Sequence, residues 1–449
     1  MGAQAIVLRG GDVVTLDDES TLRRGTDVRV EGDRIVAIGT DLDTAGAEVI
    51  DAHDAIVAPG LVDTHIHTWQ YAMRSEMQRK WGENYLRVFH RIRDGYTPQD
   101  TGDAALAAAY EMIAHGVTGA VDFLHGSNAS TDHLEAAVDA HLRAGLRTVV
   151  HYGTNAPPER ADFEEARRRR LDGLVALRAQ PKVADSALVD IGIGLPTPSD
   201  DLFETFVSEI EFARSIGARM TFHQNVAGEI ARLHARGLLG PDIVSGHSNA
   251  ITDRELDAMA ETGTVLSVTP GAEMLSGRSM TPTRRGVQRG VRVSFGVDSA
   301  LFTPLDLRAE LKSIFLAVTY HDGQELRDAV RMPINAELDP PTFTFEGVLR
   351  AGSVGGAHGI GLGDRLGTVE VGSLADLVVI RPRDVDGALA DPAAYLVLGA
   401  PPAEQVETVI IGGEVRKRDG ILVGIDDDEL RETGRRVRRN ALALLHGAA

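Results

Sequence analysis

The chain has 449 residues, 43% hydrophobic and 25% charged, an ordinary soluble composition long enough for one barrel with an accessory domain or for two to three domains. Asp and Glu number 66 against 46 Lys and Arg, a formal net charge of -20 that opposes an extended phosphate backbone, so nucleic acid is excluded as the expected partner and a small neutral or cationic molecule is favoured. Cysteine is absent, which excludes disulfides, a thiolate nucleophile and Cys-ligated zinc and leaves any metal to His and carboxylates.

The opening Met1-Gly2-Ala3-Gln4-Ala5-Ile6-Val7-Leu8 has no basic start and no long apolar core, and Ile6 stands where a myristoylation signal wants Ser or Thr. No stretch reaches the roughly 18 to 20 apolar residues needed to span a bilayer, so a cytoplasmic protein without membrane contact is expected. Residues 1–57 alternate short β-branched runs with Gly/Asp turns, as in Asp12-Val13-Val14-Thr15-Leu16 and Arg34-Ile35-Val36-Ala37-Ile38, the pattern of a small antiparallel sheet.

Across 58–361 the texture changes to strand-like runs separated by Ala- and Leu-rich helical stretches. Eight strand candidates end near His67, His125, Tyr152, Leu195, Val226, Ser248, Pro270 and Asp298, with helices predicted over 103–115, 134–144, 203–215, 253–262 and 282–289. Eight βα units argue for a (β/α)8 TIM-type barrel, whose active site lies at the carboxyl ends of the strands. The Gly-rich stretch 352–363 reads as a turn back to the accessory domain. Beyond it, Gly367-Thr368-Val369-Glu370-Val371, Leu377-Val378-Val379-Ile380 and Thr408-Val409-Ile410-Ile411 are short strands in need of partners. Residues 1–57 and 362–425 are therefore expected to build one small β-sandwich, followed by a C-terminal helix within 426–449. In that helix Arg431, Arg435, Arg436, Arg438 and Arg439 form a basic face assigned to solvent or to the partner of a homodimer.

The chemistry begins at Asp63-Thr64-His65-Ile66-His67, which ends the apolar run Ile56-Val57-Ala58-Pro59-Gly60-Leu61-Val62. Alternate side chains of a strand share a face, so both imidazoles can reach one metal ion. His223 closes the fifth strand, His247 the sixth and Asp298 the eighth, each delivering a titratable group to the same rim. Three His and one carboxylate leave an open position on Zn²⁺ or Fe²⁺, where bound water becomes hydroxide near neutral pH.

Through Pro59-Gly60-Leu61-Val62-Asp63-Thr64-His65-Ile66-His67, His223, His247, Gly296-Val297-Asp298 and the closing Gly367-Thr368-Val369-Glu370-Val371-Gly372-Ser373-Leu374-Ala375-Asp376-Leu377-Val378-Val379, the chain resembles the amidohydrolase superfamily over essentially its whole length. The likeness is to the cytosine-deaminase-like and triazine-hydrolase-like branch. It implies that His65, His67, His223 and Asp298 ligate one divalent metal, zinc with iron as the alternative, and that His247 polarises water or substrate or relays a proton. Binuclear relatives carry a carboxylated Lys on the fourth strand; Val189-Asp190-Ile191-Gly192-Ile193-Gly194-Leu195-Pro196 has none, which favours a single ion. The implied reaction is attack of metal hydroxide on an electron-poor carbon of a small, cyclic, nitrogen-containing substrate, by deamination or other C–N hydrolysis.

One position departs from the pattern. The deaminase branch usually has Glu three residues after the fifth-strand His to shuttle a proton, and here that residue is Val226. Glu273, just past the seventh strand, is the candidate replacement general acid, with an ion pair to Arg278 as its plainer alternative. Trp69, Gln70, His125, Gln224 and Asn225 are candidate substrate contacts, with His151 a further rim histidine and Asp63 an orienting group behind the ligands. Trp81, Tyr85 and Phe89, spaced by four, are read as a core or dimer stripe, or as a lid. Expulsion of a good leaving group such as chloride, or a lyase or isomerase step, is the competing use of the same site. A non-catalytic scaffold is disfavoured because all four ligands are present.

Overall fold

In the computed structural model, which describes residues 5–76, 81–125, 131–153, 162–278, 281–330, 341–383 and 389–446, the apolar runs of the central chain form eight parallel strands. These are Leu61–Ile66, Val117–His125, Arg147–Gly153, Val189–Gly194, Met220–Gln224, Ile243–His247, Val265–Val268 and Arg292–Phe295, hydrogen-bonded in chain order. Helices cover the outer face and side chains fill the interior, so the strands read as nearly continuous apolar runs. An Ile66–Asp298 bridge joins the first strand to the turn after the eighth and brings the ring to closure.

The helices at Phe203–Ser215 and Asp253–Thr262 match their predicted spans, while the one predicted at 103 starts earlier, as Pro98–Ala114. Its start is set by Thr97 and Asp100, which form a reciprocal capping box ahead of the Ala-rich run, with Pro98 at the first helical position.

Two expectations are corrected. The stretch 352–363 is mostly helix rather than a turn, with Phe345–Arg350, a wide turn at Ala351–Gly355 and Gly356–Gly359 in succession. Its glycines serve packing: a Cβ at Gly356 would lie 2.6 Å from Val62 Cβ and one at Gly355 2.3 Å from Val293 O, so this helix rests directly on the first and eighth strands. The run 367–371 forms no strand; Val369 N–H donates to Thr15 O at 2.8 Å and the segment otherwise crosses the sheet domain as loop.

Both chain ends meet in a second, mostly antiparallel sheet of nine strands. Its junction is the antiparallel pairing of Ile56–Pro59 with Leu377–Ile380. Val13, Val28, Val30, Ile35, Val57 and Ile410 lie in an apolar core of its own, separate from that of the barrel. The C-terminal helix Asp427–His446 packs on its own chain, burying Val437, Ala441 and Leu445. Its basic face is largely neutralised there: Arg436 clasps Asp103 at 2.6 and 2.7 Å, and Arg438 pairs with Glu76 and donates to Ala72 O at 2.6 Å. No helix of the described residues is long and apolar enough to cross a membrane.

The barrel and the sheet are bolted together by a buried ion pair, in which Arg147 Nε and Nη2 each lie 2.8 Å from a carboxylate oxygen of Asp376. Arg147 Nη1 also donates to Ala187 O and Asp376 Oδ1 accepts the Gly412 N–H, so both charges are well satisfied. Removing one partner strands the other charge, and Arg147→Ala is expected to cost about 3–5 kcal/mol of stability, read as a lower urea midpoint at unchanged m-value.

Candidate metal centre

The first strand brings His65 and His67 to the carboxyl rim as its alternation requires, and tertiary contacts then fix them. Asp63, fully buried, accepts the His65 N–H at 3.0 Å and the Val297 N–H at 3.2 Å, tying the strand to the turn that carries Asp298. Gly296 permits this approach, since a Cβ there would stand 2.6 Å from both N and O of His65. His67 donates its Nδ1–H to Phe123 O at 2.7 Å, which leaves the Nε2 lone pair facing the rim.

Around that lone pair the predicted ligands converge. His223 Nε2 is 3.3 Å from His67 Nε2, and Asp298 Oδ1 is 3.4 Å from His67 Nε2 and 4.0 Å from His65 Nε2. Donor atoms of His65, His67 and His223 lie within 4.8 Å of one another, as do those of His65, His247 and Asp298, so two triads share His65. Among the described residues neither ring nitrogen of buried His65 has a hydrogen-bond partner, a loss of about 1–3 kcal/mol for a polar group left unpaired. Burial holds His65 and His223 well below the usual imidazole range and His67 at about 4, so the rings are neutral and their lone pairs free to coordinate. Burial also lifts Asp298 to about 6. Neutral imidazoles crowded nitrogen to nitrogen beside one carboxylate are the donor set of a divalent transition metal, and the residues present fit such an ion.

His247 joins the cluster with its Nδ1 turned away, 3.0 Å from Thr269 Oγ1 and 3.4 Å from Glu273 Oε1, leaving Nε2 for the site. Burial keeps this ring near 4 as well. Glu273 is 1% exposed, and desolvation pushes its carboxyl to about 8 against the opposing Thr269 N–H bond and the nearby charge of Arg278. Its carboxyl therefore belongs to the His247 side of the rim.

The remaining candidates divide. Trp69 and Gln70, on the short helix Thr68–Met73, are buried, and His125 lies with ring centroids 4.6 Å from His67 and 5.8 Å from Trp69. Trp69 Nε1 and His125 Nδ1 have no hydrogen-bond partner among the described residues, while the Gln70 amide meets the Tyr85 hydroxyl. Phe89 adds a wall 4.9 Å from His125, and Tyr85 stacks near Phe302, so these two members of the aromatic stripe face the site's own neighbourhood; the side chain of Trp81 lies outside the described residues. Gln224 and Asn225 do not join this group. Gln224 Nε2 donates to Val226 O and to Glu229 Oε2, and Asn225 is exposed with its N–H also bound to Glu229 Oε2, so both serve the turn after the fifth strand. His151 is fully buried beside Gly192, its Nδ1 bonded to Val149 O.

Sequence reading missed Asp122 and His141. Asp122 accepts Thr68 N–H at 3.0 Å and Thr68 Oγ1–H at 2.5 Å and pairs with His141 Nε2 at 2.9 Å, all fully buried or nearly so. The available signal was a lone carboxylate inside the apolar strand Val117–His125.

Comparison with known proteins gives the family and the fold. The amidohydrolase family model matches residues 56–416. The 5'-deoxyadenosine deaminase of Methanothermobacter thermautotrophicus is 26% identical over 96% of this chain and 97% of its own length. The 5-methylthioadenosine/S-adenosylhomocysteine deaminase of Pyrococcus abyssi is 24% identical over 96% and 98%. Among solved structures, an adenosine deaminase from Xanthomonas campestris with bound zinc superposes with a TM-score of 0.80 at 20% identity, covering 98% of each chain. Atrazine chlorohydrolase from Arthrobacter aurescens TC1, complexed with zinc, gives 0.77 at 22%, covering 98% of this chain and 100% of that one. The family match spans most of the chain, and the chain belongs to the amidohydrolase family, as a metal-dependent hydrolase of carbon–nitrogen bonds other than peptide bonds.

Proposed function

We propose that the protein is a mononuclear zinc-dependent deaminase of a small aminated heterocycle, with His65, His67, His223 and Asp298 as the metal ligands. A cation held by these residues supplies Lewis acidity, which makes water a nucleophile near neutral pH. The single observation that carries the reading is the buried Glu273 carboxyl 3.4 Å from His247 Nδ1, beside a cluster of otherwise neutral imidazoles.

Deamination moves two protons. The attacking water gives one to a base, and the departing nitrogen takes one from an acid. Asp298, the carboxylate of the cluster, is the base at hand and accepts the proton of the attacking water. Glu273, at about 8, enters neutral solution as the protonated acid. Thr269 Oγ1, 3.4 Å from Glu273 Oε1 and 3.0 Å from His247 Nδ1, links the two: with Glu273 protonated, its O–H donates to the hydroxyl and the hydroxyl to Nδ1, which places the single imidazole proton on Nε2, aimed at the site. His247 then protonates the departing nitrogen from Nε2 and is refilled at Nδ1 by Glu273. His125 and Trp69, whose Nδ1 and Nε1 are unpaired among the described residues, supply polar atoms for a planar heteroaromatic ring, with Gln70 beside Tyr85 and with Phe89 as an apolar face.

Displacement of chloride is the second reading, favoured by one residue. Val226, 58% exposed, stands where a proton-shuttling Glu is expected, and chloride leaves without a proton. A panel of 5'-deoxyadenosine, 5-methylthioadenosine, adenosine and atrazine separates the two by whether ammonia or chloride is released.

Elemental analysis is expected to give one zinc per chain, and His65→Ala to lose both metal and turnover while its circular dichroism and cooperative melting persist. Two metals per chain would contradict the single-ion assignment. His247→Asn should cut kcat by roughly 10²-fold or more with metal content unchanged, since it removes proton transfer and not a ligand.

Glu273→Gln should likewise lower kcat by roughly 10²-fold while leaving KM and zinc content in place. A required acid must stay protonated, so turnover of the native enzyme should fall as pH rises through about 8, and this limb should vanish in the variant. In the metal-free protein the signs run the other way. His67 and His247 resist protonation in the fold until about pH 4 but take up protons at their ordinary value of 6.5 once unfolded, so the melting temperature should drop as pH falls between those values.

A further inference from the structure

We propose that Glu310 is a positioning residue that seats Glu273 against His247, an inference that rests on the reading of Glu273 as proton donor. Glu310 lies on the helix Leu307–Val330, well after the eighth strand, and is 3% exposed. Its Oε2 accepts the Gly271 N–H at 2.6 Å.

Gly271 and Glu273 are the second and fourth residues of the six-residue helix Pro270–Leu275. A helix so short is marginal by itself, and its Thr269 cap makes no side-chain bond to the helix N–H groups. Glu310 supplies the acceptor that the sequence-local cap does not. The fit admits only glycine: a Cβ at position 271 would stand 2.6 Å from Glu310 Oε1 and 2.4 Å from Thr303 Cγ2.

The same turn fixes the other end of the proton path. Thr269 donates its N–H to Glu273 Oε1 at 3.2 Å, and its Oγ1 lies 3.4 Å from that oxygen and 3.0 Å from His247 Nδ1, between the acid and the imidazole. Both carboxyls therefore hang on one turn, and among the described residues no hydrogen bond or ion pair joins Glu310 to the metal cluster. It acts through Glu273.

Crystal structures of zinc-loaded Glu310→Ala and Glu310→Gln test the seat directly. In Glu310→Ala the turn should shift and carry Glu273 Oε1 out of hydrogen-bonding reach of His247 Nδ1; in Glu310→Gln, whose amide oxygen can still accept the Gly271 N–H, it should stay. Glu310→Asp, which withdraws the acceptor by one methylene, gives the same reading if the Ala variant does not fold. With the amine substrate that the panel yields, Glu310→Ala should lower kcat roughly tenfold to hundredfold at unchanged KM and zinc content, and Glu310→Gln should restore most of it. The double variant Glu273→Gln/Glu310→Ala should be no slower than Glu273→Gln alone, because both act on one proton. Glu273 remaining on His247 in the Ala or Asp variant, or penalties that multiply in the double variant, would overturn the role of Glu310. Turnover insensitive to Glu273→Gln would remove the acid itself and this inference with it, whereas turnover lost in Glu273→Gln but kept in Glu310→Ala would remove Glu310 alone.

Discussion

Closing the barrel and building the site are one event. The seam between the first strand and the turn after the eighth consists of His67 N–H to Asp298 O and Asp298 N–H to His65 O, both 2.8 Å, so the backbone bonds that complete the ring belong to three of the four proposed ligands. Asp63 reinforces the seam from within by accepting N–H groups of both His65 and Val297. Beneath it, Thr64 Oγ1 meets Ser267 Oγ at 2.7 Å and Ser294 Oγ at 2.8 Å, a buried hydroxyl layer that crosses from the first strand to the seventh and eighth. An isolated βα unit could not hold these ligands in register. The complete ring does so without needing the metal as a staple, because the apolar interior supplies the cohesion and the seam supplies the geometry.

The ring also holds strain where chemistry is expected. His247, Ser248 and Asp298 sit in the left-handed region at φ 65, 58 and 68, conformations that cost a non-glycine residue of order 1–3 kcal/mol unless the surroundings enforce them. Here they are enforced. Ser248 N–H is bonded to both Gln224 O and Gly246 O, and Asp298 N–H is spent on the seam. The sharp turn at each strand end directs the side chain across the mouth of the barrel, where His247 and Asp298 meet His65.

How much of this the sequence disclosed follows from the range of each interaction. His65 and His67 were legible because period-two alternation is local, and His223, His247 and Asp298 because each terminates an apolar run at a strand end. The roles of Gln224 and Asn225 were not legible, since a carboxylate four or five residues downstream, Glu229, captures the Gln224 amide and the Asn225 backbone N–H. Nor were the glycines of 352–363, which look like turn residues until the strands they rest on are known. Asp122 with His141, and Glu310 with Gly271, are pairings over 19 and 39 residues that leave no periodic trace in the chain.

The position of the acid can be argued from exposure. A carboxyl at 226 would sit on a surface that leaves Val226 58% exposed, and in water it would titrate near the ordinary Glu value of about 4.3, ionised at neutral pH until a substrate covered it. At 273 the carboxyl is buried at all times and holds its proton to about 8. A site built on Glu273 is therefore loaded before substrate arrives. That readiness carries a cost: the neutral carboxyl must be kept out of water and its turn held by partners elsewhere in the fold, among them Thr269 and Glu310. Burial raises Asp298 as well, but as a proposed ligand it would be held ionised by the bound cation, so the rim would carry one protonated and one ionised carboxyl at neutral pH. Such a separation gives a donor and an acceptor side by side at neutral pH, which is what transfer of a proton from water to a departing nitrogen requires.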